Sequence, residues 1–213
     1  MRIAVVGATG AVGTRVVAEA IDRGHAVTAV ARTPGRMAEL PDAATPRLAD
    51  ASDVDAVADL SRGQDVVIGA TRPAPGHEVD GFAVTRSLLA GCARTGVRVI
   101  IVGGAGSLIV PGTDGRLAID DPDVVAPAWR AIAQVGVDQL SACRNERVAD
   151  WTHLSPPAHL QPGQRTGRYR TGCDELLVAP DGTSSISIED FAVALLDEVD
   201  VPRHPQARFT VAN

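Results

Sequence analysis

The chain has 213 residues, a length typical of one domain, and we expect residues 1–213 to form a single domain. Its hydrophobic content of 45% and charged content of 22% are ordinary for a globular protein and exclude a disordered or fibrous chain. The net charge of −6 argues against nucleic acid or an anionic membrane as the main partner, and no apolar run reaches the roughly 18 residues of a transmembrane helix.

Two residue counts limit the chemistry further. All 20 basic residues are arginine, so mechanisms that need a lysine amine, such as a Schiff base or a Walker A phosphate loop, are excluded. Cys92, Cys143 and Cys173 share no CxxC spacing, and the first two fall in helical patterns that place them in the core. The five histidines form no metal-binding pair, and the chain starts with a strand pattern rather than a signal peptide. We therefore predict no metal site and a cytoplasmic protein.

The first half of the chain alternates β-rich runs with helical patterns, which is typical of a parallel sheet with crossover helices. Five strands are predicted there: Ile3–Val6, Ala26–Ala31, Arg47–Asp50, Val66–Ala70 and Val97–Gly103. Apolar residues at helical spacing predict the helices between them, at about 12–21, 54–60 and 79–95.

The second half is less regular. Residues 104–127 are rich in Gly, Pro and Asp and predict a long loop, a kind of segment that is often functional. The elements predicted after it are a helix at 128–149, strands at 151–154 and 209–211, a hairpin of 176–178 with 185–188 around Asp181-Gly182, and a helix that begins after Ser187. The fold class predicted is α/β, a Rossmann-like doubly wound parallel sheet with a small C-terminal extension.

A glycine motif gives the strongest functional signal. Gly7, Gly10 and Gly13 follow a buried strand directly and open an amphipathic helix, which is the context of a dinucleotide-binding loop. Gly7 permits the tight turn, Gly10 leaves space for a pyrophosphate, and Gly13 lets the helix pack closely on the sheet. The free N–H groups of the first helical turn then face the phosphates. The predicted loop residues are Gly7, Thr9, Gly10, Ala11, Val12 and Gly13.

The end of the second strand indicates which dinucleotide binds. NAD enzymes place an acid there to hold the ribose 2′-hydroxyl, but this chain has Arg32, and the nearest acid downstream is Glu39. A guanidinium can bind a 2′-phosphate through two hydrogen bonds, so we predict NADP(H) as the preferred cofactor and NAD(H) as possible. The alternative is that Arg32 is a solvated surface residue. Asp50, at the end of the third strand, could accept a hydrogen bond from adenine or could instead start a helix with Ser52 and Asp53.

Several motifs resemble those of the atypical short-chain dehydrogenase/reductases, and in particular the NADH-flavin reductase group. The motifs are Gly7-Ala8-Thr9-Gly10, Val102-Gly103-Gly104-Ala105-Gly106-Ser107-Leu108, Leu154-Ser155-Pro156-Pro157, Glu189-Asp190-Phe191-Ala192 and Arg208-Phe209-Thr210-Val211. The resemblance covers nearly the whole chain, and biliverdin reductase B is more distantly similar. It implies a Rossmann fold, NADP(H) or NAD(H), and reduction of a flavin or quinone.

The chain departs from related enzymes in its acid–base residues. Classical short-chain dehydrogenases use a Tyr-x-x-x-Lys motif, whereas this chain has no lysine and its only tyrosine is Tyr169. Carbonyl reduction or epimerisation by that apparatus is therefore not expected. The flavin-reducing relatives carry a histidine directly after Pro-Pro, where this chain has Ala158, and His159 comes one residue later.

Residues near the nicotinamide should come from the carboxyl ends of the fourth, fifth and sixth strands. The cofactor-contacting candidates there are Ala70, Thr71, Gly103, Ser155, Pro156 and Pro157. Ser107 and His159 are the candidate catalytic groups, the alternative for Ser107 being a loop serine, while His153 is expected to pack in or near the core. The arginines between Arg165 and Arg170 could hold an anionic substrate or form a solvated surface.

Three functions fit these observations. The first is an NADP(H)-dependent oxidoreductase that transfers hydride to a flavin, quinone or similar conjugated acceptor. The second is a non-catalytic NADP(H)-binding redox sensor, and the third is a reductase or isomerase that tailors a specialised metabolite. The expected partner is a small-molecule acceptor, with neither nucleic acid nor membrane, and the protein is expected to be a monomer or homodimer.

Overall fold

The computed structural model describes residues 1–73 and 76–213 and is built around an eight-stranded sheet. The strands of the structure are β1 Arg2–Val6, β2 Ala26–Ala31, β3 Thr45–Leu48, β4 Val66–Gly69, β5 Arg98–Val102, β6 Trp151–Ser155, β7 His159–Gln161, β8 Arg170–Gly172, β9 Ser185–Ser187 and β10 Ala207–Ala212. The α-helices are α1 Ala11–Asp22, α2 Val54–Ser61, α3 Glu78–Thr95, α4 Arg130–Asn145 and α5 Ile188–Asp200.

The strand order of the main sheet is β3-β2-β1-β4-β5-β6-β10-β8. All neighbouring pairs are parallel except β10 with β8, while β7 and β9 form a separate parallel pair. The chain moves outward from β1 in one direction to β3 and then returns to β4 on the other side. This reversal creates the crevice at the carboxyl ends of β1 and β4 in which doubly wound proteins bind their ligands. The predicted Rossmann-like fold is confirmed.

Helices cover both faces of the sheet because the side chains of a strand alternate in direction. Ile3 and Val5 of β1 belong to a core shared with α1 and α5, whereas Ala4 and Val6 belong to a core shared with α2, α3 and α4. Cys92 and Cys143 are buried in the second core, as the sequence predicted, and burial raises the pKa of each thiol to about 12. Among the helices of the described ranges, none has the length and apolar character needed to cross a membrane.

Two local predictions were wrong. The third strand lies at 45–48 instead of 47–50, because Pro46 is tolerated where β3 forms the edge of the sheet. The turn at Asp181-Gly182 is present, with Gly182 at a φ of 85°, but it does not close a hairpin. Residues 176–178 are not a strand, and β9 pairs in parallel with β7, with His159 opposite Ser185.

The predicted loop 104–127 contains ordered short elements. Single turns of 3₁₀ helix span 105–107 and 118–120, and Ile109 bridges both Leu117 and Glu175. The segment therefore runs alongside 174–176, and its first turn packs under α4. A Cβ built on Gly106 would lie 2.8 Å from the Ala133 carbonyl oxygen of α4.

Candidate functional site

The loop between β1 and α1 has the close backbone packing that the glycine motif predicted. Gly7 has a φ of 82°, and a Cβ there would lie 2.6 Å from the carbonyl oxygen of Ala70 at the end of β4. A Cβ on Gly13 would lie 2.1 Å from the Gly7 carbonyl oxygen, so α1 touches the loop at this point. Both positions need glycine for the packing of the protein itself.

Gly10 differs from the other two glycines. Its backbone is extended, with a φ of −79° and a ψ of 171°, and a Cβ there would approach the Gly7 carbonyl oxygen only to 3.3 Å. The fold alone therefore does not demand glycine at position 10. A Cβ on Gly10 would also lie 3.9 Å from the Ala70 carbonyl oxygen. A glycine at this position of a dinucleotide-binding loop lets the protein backbone approach a pyrophosphate closely.

The first turn of α1 presents its amides without an internal partner. Gly10 is the N-cap and provides no side-chain hydrogen bond, and the first turn contains no acid. In contrast, α2 is capped by Asp53 and α5 by Ser187, and both carry acids in the first turn. The positive end of the α1 dipole is thus not compensated by its own cap, which fits an anion at this end. Thr9, Ala11 and Val12 lie in this same stretch, between Gly7 and Gly13.

Arg32 and Asp50 come together beyond the carboxyl ends of β2 and β3. Arg32 is exposed, and within residues 1–73 and 76–213 its guanidinium makes no hydrogen bond or close ion pair. Asp50 accepts hydrogen bonds from the backbone N–H and the hydroxyl of Ser52, at 2.9 and 2.7 Å. These hydrogen bonds, assisted by the charge of Arg32, lower the pKa of Asp50. One carboxylate oxygen of Asp50 is thus occupied locally, in the way that the helix-initiation alternative describes.

The carboxyl end of β4 lies beside the glycine loop. Ala70 is buried, its N–H donates to the Val6 carbonyl at 2.8 Å, and Thr71 after it is half-buried. Arg72 then leaves the sheet, and its guanidinium lies 5.5 Å from the ring centre of Trp129. Trp129 directly precedes α4 and is 55% exposed.

A buried histidine lies under the carboxyl end of β5. A Cβ on Gly103 would lie 2.1 Å from Cε1 of His153, so only glycine fits against this ring. Burial, assisted by the charges of Arg208 and Arg144, lowers the pKa of His153 to about 3, and the ring is therefore neutral at physiological pH. Its Nδ1 lies 3.5 Å from the Ser155 hydroxyl, and its Nε2 has no hydrogen-bond partner in the described part of the chain. His153 is a core residue, as the sequence predicted.

Ser107 takes part in a charged network that sequence reasoning missed. Arg208 of β10, whose side chain is 3% exposed, donates from Nη1 to the Ser107 hydroxyl oxygen at 3.3 Å. Its Nε donates to Asp174 at 3.0 Å, and Arg144 of α4 binds the same carboxylate at 3.0 Å. The three charged residues are distant in sequence, and the only local signal was the Arg208-Phe209-Thr210-Val211 motif of the family resemblance.

The remaining candidates fall into two groups. Pro156 and Pro157 are buried directly after β6, next to Ser155 at its carboxyl end. His159 lies on β7, outside the main sheet, where its side chain is exposed and its backbone N–H donates to the Ser184 carbonyl at 2.9 Å.

The arginines of the 165–170 segment have structural partners. Arg165 binds Glu19 of α1 at 2.7 and 2.9 Å, and Arg170 donates to the Asn213 carbonyl at 2.7 Å. The guanidinium groups of Arg165 and Arg170 are therefore already engaged within the protein. Arg168 is exposed and was the third member of the predicted cluster.

Comparison with known proteins finds solved structures that are similar over nearly the whole chain. A solved structure from Burkholderia pseudomallei named as a "putative exported protein" has 38% identity and a TM-score of 0.89, with 100% of each chain covered. One from Bacteroides thetaiotaomicron, named a "putative epimerase", has 36% identity and a TM-score of 0.89, with 99% of this chain and 96% of that chain covered. The protein SP1627 of Streptococcus pneumoniae, named a "putative NADH-flavin reductase", has 29% identity and a TM-score of 0.90, with 100% and 99% covered.

The names of these structures differ, and the family of the chain is shown by a separate comparison. A family model described as NAD(P)H-binding matches residues 7–199, which include the glycine loop, all five α-helices up to Val199 of α5, and the Ser107 turn. The match begins at Gly7, directly after the last residue of β1, Val6. The resemblance found in the sequence motifs is confirmed: the chain belongs to the NAD(P)H-binding family of reductase-like Rossmann proteins.

Proposed function

We propose that this protein is an NADP(H)-dependent reductase of a flavin, quinone or similar conjugated acceptor. The observation that carries the proposal is the pairing of the glycine loop with Arg32, an exposed cation that makes no hydrogen bond in the described ranges and lies beyond the strand end where NAD enzymes place an acid. An NADP(H) molecule would lie with its pyrophosphate at Gly10 and the amides of Ala11 and Val12. Its 2′-phosphate would then lie at Arg32.

The choice of a conjugated acceptor rests first on the absence of a Tyr-x-x-x-Lys motif from the sequence. Without lysine, the chain has no Tyr-x-x-x-Lys apparatus, and Tyr169 donates instead to Asp197 at 2.5 Å. Burial, together with this hydrogen bond to a carboxylate, raises the pKa of Tyr169. A conjugated acceptor needs less assistance from acid–base groups of the protein, because it delocalises the electron pair that it receives. This favours flavin or quinone reduction over epimerisation.

The bound cofactor supplies a hydride, and a reduced flavin or quinone also gains a proton that solvent can provide. The protein's own contribution is to hold the two rings together and exclude water from between them. The Ser107 oxygen accepts from Arg208, so its own proton is free to be donated to an acceptor carbonyl. A nearby buried cation also favours negative charge that develops on that carbonyl. Burial keeps His153 neutral, and its ring packs directly against Gly103 at the carboxyl end of β5.

The test is NADPH oxidation with a panel of acceptors: FMN, riboflavin and a soluble quinone, each measured against NADH at the same ionic strength. We expect turnover with at least one conjugated acceptor and a lower KM for NADPH than for NADH. Tight NADPH binding by calorimetry without turnover on any acceptor would contradict the reductase proposal. It would favour the non-catalytic sensor instead.

A further inference from the structure

The exposed Trp129 is unusual in a chain with only two tryptophans and an aromatic content of 3%. It lies in a 3₁₀ turn at 127–129, directly before α4, and is 55% exposed although Arg72 lies over one side of its ring. The other tryptophan, Trp151, is only 4% exposed. A large aromatic ring left in water has no role in the core, so its position relative to the candidate site is informative.

One contact of Trp129 and the packing of the segments on either side of it place the ring at the rim of the candidate site. Arg72, which lies 5.5 Å from the ring centre, is two residues after Ala70, and the Ala70 carbonyl packs against Gly7 of the cofactor loop. On the other side, α4 begins at Arg130 and covers the turn that holds Ser107, with Gly106 packed against Ala133. Trp129 thus lies between the end of β4 and the helix that covers Ser107.

The ring is also held in a defined position. The Arg72 guanidinium makes a cation–π contact with it, and Arg130, the next residue along the chain, binds Asp120 at 2.9 Å and the Ile119 carbonyl. These contacts attach Trp129 to two separate segments of the site rim. A ring fixed in this way loses little conformational freedom when a flat ligand stacks on it.

We propose that Trp129 is the stacking surface for the acceptor, and that Arg72 is the positioning residue that holds this ring at the rim. The inference rests on the proposed reductase function. It narrows the acceptor to planar, conjugated ring systems, because an offset-stacked pair of aromatic rings is favourable beyond the area that it buries. Compact aliphatic carbonyl compounds would gain nothing from such a surface.

The experiment measures FMN binding to the NADP⁺-saturated protein by equilibrium dialysis, together with the KM for FMN in steady-state NADPH oxidation. We compare wild type with Trp129→Phe and Trp129→Ala. Val148→Ala is the matched control, because it also truncates an exposed apolar residue (75% exposed), three residues beyond the far end of α4. We expect Trp129→Ala to raise the Kd and KM for FMN about tenfold, and Trp129→Phe less than about threefold. Val148→Ala should leave the Kd and KM for FMN unchanged. None of the variants should change the Kd for NADPH.

A second measurement tests the role of Arg72. Trp151→Phe leaves Trp129 as the single tryptophan, whose emission can be excited selectively beside that of Tyr169, and loses no hydrogen bond, since the described residues offer Trp151 Nε1 no partner. In this background, Arg72→Met should broaden or shift the Trp129 emission and raise the KM for FMN while kcat stays within about twofold. An unchanged spectrum and KM would overturn the positioning role.

The outcomes separate the two proposals. If wild type reduces FMN but Trp129→Ala binds and uses it equally well, the stacking inference is wrong and the reductase function stands. Equal losses in the Phe and Ala variants would also overturn stacking, because phenylalanine keeps a ring. If wild type binds NADPH but neither binds nor reduces any conjugated acceptor, the reductase proposal fails and the stacking inference fails with it.

Discussion

At the scale of single residues, the three glycines of the cofactor loop have different physical reasons to be glycine. Gly7 and Gly13 lie against backbone atoms of the protein, at 2.6 Å and 2.1 Å from an added Cβ. Gly10 has ordinary backbone angles and only a marginal contact at 3.3 Å. The sequence motif alone could not distinguish a glycine that the fold requires from one that a ligand would require, because both positions are simply glycine in the sequence.

The difference leads to opposite results for two valine substitutions. Gly13→Val should lower the free energy of unfolding by about 3 kcal/mol or more, since the side chain overlaps the Gly7 carbonyl. Gly10→Val should cost only about 1 kcal/mol of stability yet weaken NADPH binding by about 100-fold, through loss of charged hydrogen bonds to the pyrophosphate. Urea unfolding and calorimetry on both variants check the pair. Unchanged NADPH affinity in a folded Gly10→Val protein would rule out the proposed loop as the binding site.

Arg32 decides between the two nicotinamide cofactors. A contact between guanidinium and phosphate contributes about 1.5–3 kcal/mol, so Arg32→Ala should weaken NADPH binding by roughly one to two orders of magnitude. NADH has no 2′-phosphate, and its affinity should barely change. Arg32→Asp should reverse the preference by repelling the phosphate and offering a carboxylate to the 2′-hydroxyl. The dissociation constants are compared at fixed ionic strength because salt screens such contacts.

Arg36 provides the control for this substitution, since it already binds Glu39 at 3.0 Å and both side chains are exposed. Arg36→Ala should leave the affinities for both cofactors unchanged. If wild type prefers NADH, or if Arg32→Ala weakens both cofactors equally, Arg32 does not bind the phosphate.

Ser107 is the candidate that touches the acceptor. Ser107→Ala should lower kcat about tenfold or more while the Kd for NADPH stays constant, because the hydroxyl is proposed to act on the acceptor carbonyl as charge develops there. Thr95→Ala is a suitable control, as it removes a hydroxyl that binds Ser61 at the carboxyl end of α3, and it should leave kcat unchanged. A wild-type kcat in Ser107→Ala would show that the serine is a structural loop residue.

At the scale of elements, the strands and helices of the first half were predictable because each carries its own periodic signal. β2 was predicted to the residue, and α1 to within one residue at each end. The errors arose where pairing is not local. The Asp181-Gly182 dipeptide specifies a turn, but it does not specify that Ser185–Ser187 pairs with the distant His159–Gln161. The Arg208–Asp174–Arg144 network and the Arg72–Trp129 pair escaped prediction for the same reason.

The start of α5 shows how a distant segment is attached to the sheet. Asp190 is fully buried and accepts hydrogen bonds from the Thr166 N–H at 2.8 Å, the Thr166 hydroxyl at 2.6 Å and the Gly167 N–H at 2.7 Å. Burial alone would raise the pKa of Asp190, but these hydrogen bonds and one from Asn213 outweigh it and lower the pKa. One carboxylate therefore holds the 165–170 segment on the helix.

Removal of this carboxylate should be costly. Asp190→Ala removes the side-chain acceptor of two backbone amides and of the Thr166 hydroxyl, and we expect the free energy of unfolding to fall by about 3 kcal/mol. Asp181→Ala is the control: Asp181 also accepts from a backbone N–H and a hydroxyl, both of Thr183, but it is exposed. Its removal should cost no more than about 0.5 kcal/mol. Equal losses in the two variants, measured by urea unfolding, would contradict the account of Asp190.

At the scale of the whole molecule, buried carboxylates join segments that are far apart in sequence. Glu19 of α1 binds Arg23 at 2.8 Å and Arg165 at 2.7 Å, and Glu198 of α5 binds Arg98 of β5 and His204. Hydrogen bonds from Arg165, opposed by burial and assisted by Arg23, lower the pKa of Glu19. For Glu198, burial would raise the pKa, but His204 and Arg98 outweigh it and lower it. Both carboxylates are thus more acidic in the folded protein than in the unfolded chain.

This difference makes the stability of the protein sensitive to acid. A carboxyl whose pKa is lowered on folding stabilises the protein above its unfolded pKa, and that contribution is lost as the pH falls through the folded pKa. The ordinary values are 3.8 for Asp190 and 4.5 for Glu19 and Glu198, so the contribution of these three carboxylates to stability should be fully present at neutral pH and decline below about pH 4.5. Glu19→Gln should remove one such contribution, about 1–2 kcal/mol at pH 7, a modest value because Arg165 is largely exposed.

The pH dependence of the difference is the decisive measurement. As the pH falls below the ordinary value of 4.5, the unfolded wild-type chain takes up a proton at Glu19 more readily than the folded protein, whose Glu19 pKa is lowered. The gap in unfolding free energy between wild type and Glu19→Gln should therefore narrow as the pH falls from 7 to 3. Glu39→Gln, in the exposed pair with Arg36, should show a gap of no more than about 0.5 kcal/mol at every pH. A gap for Glu19→Gln that is the same at pH 7 and pH 3 would mean that the side chain acts through packing, and that its charge does not link α1 to the 165–170 segment.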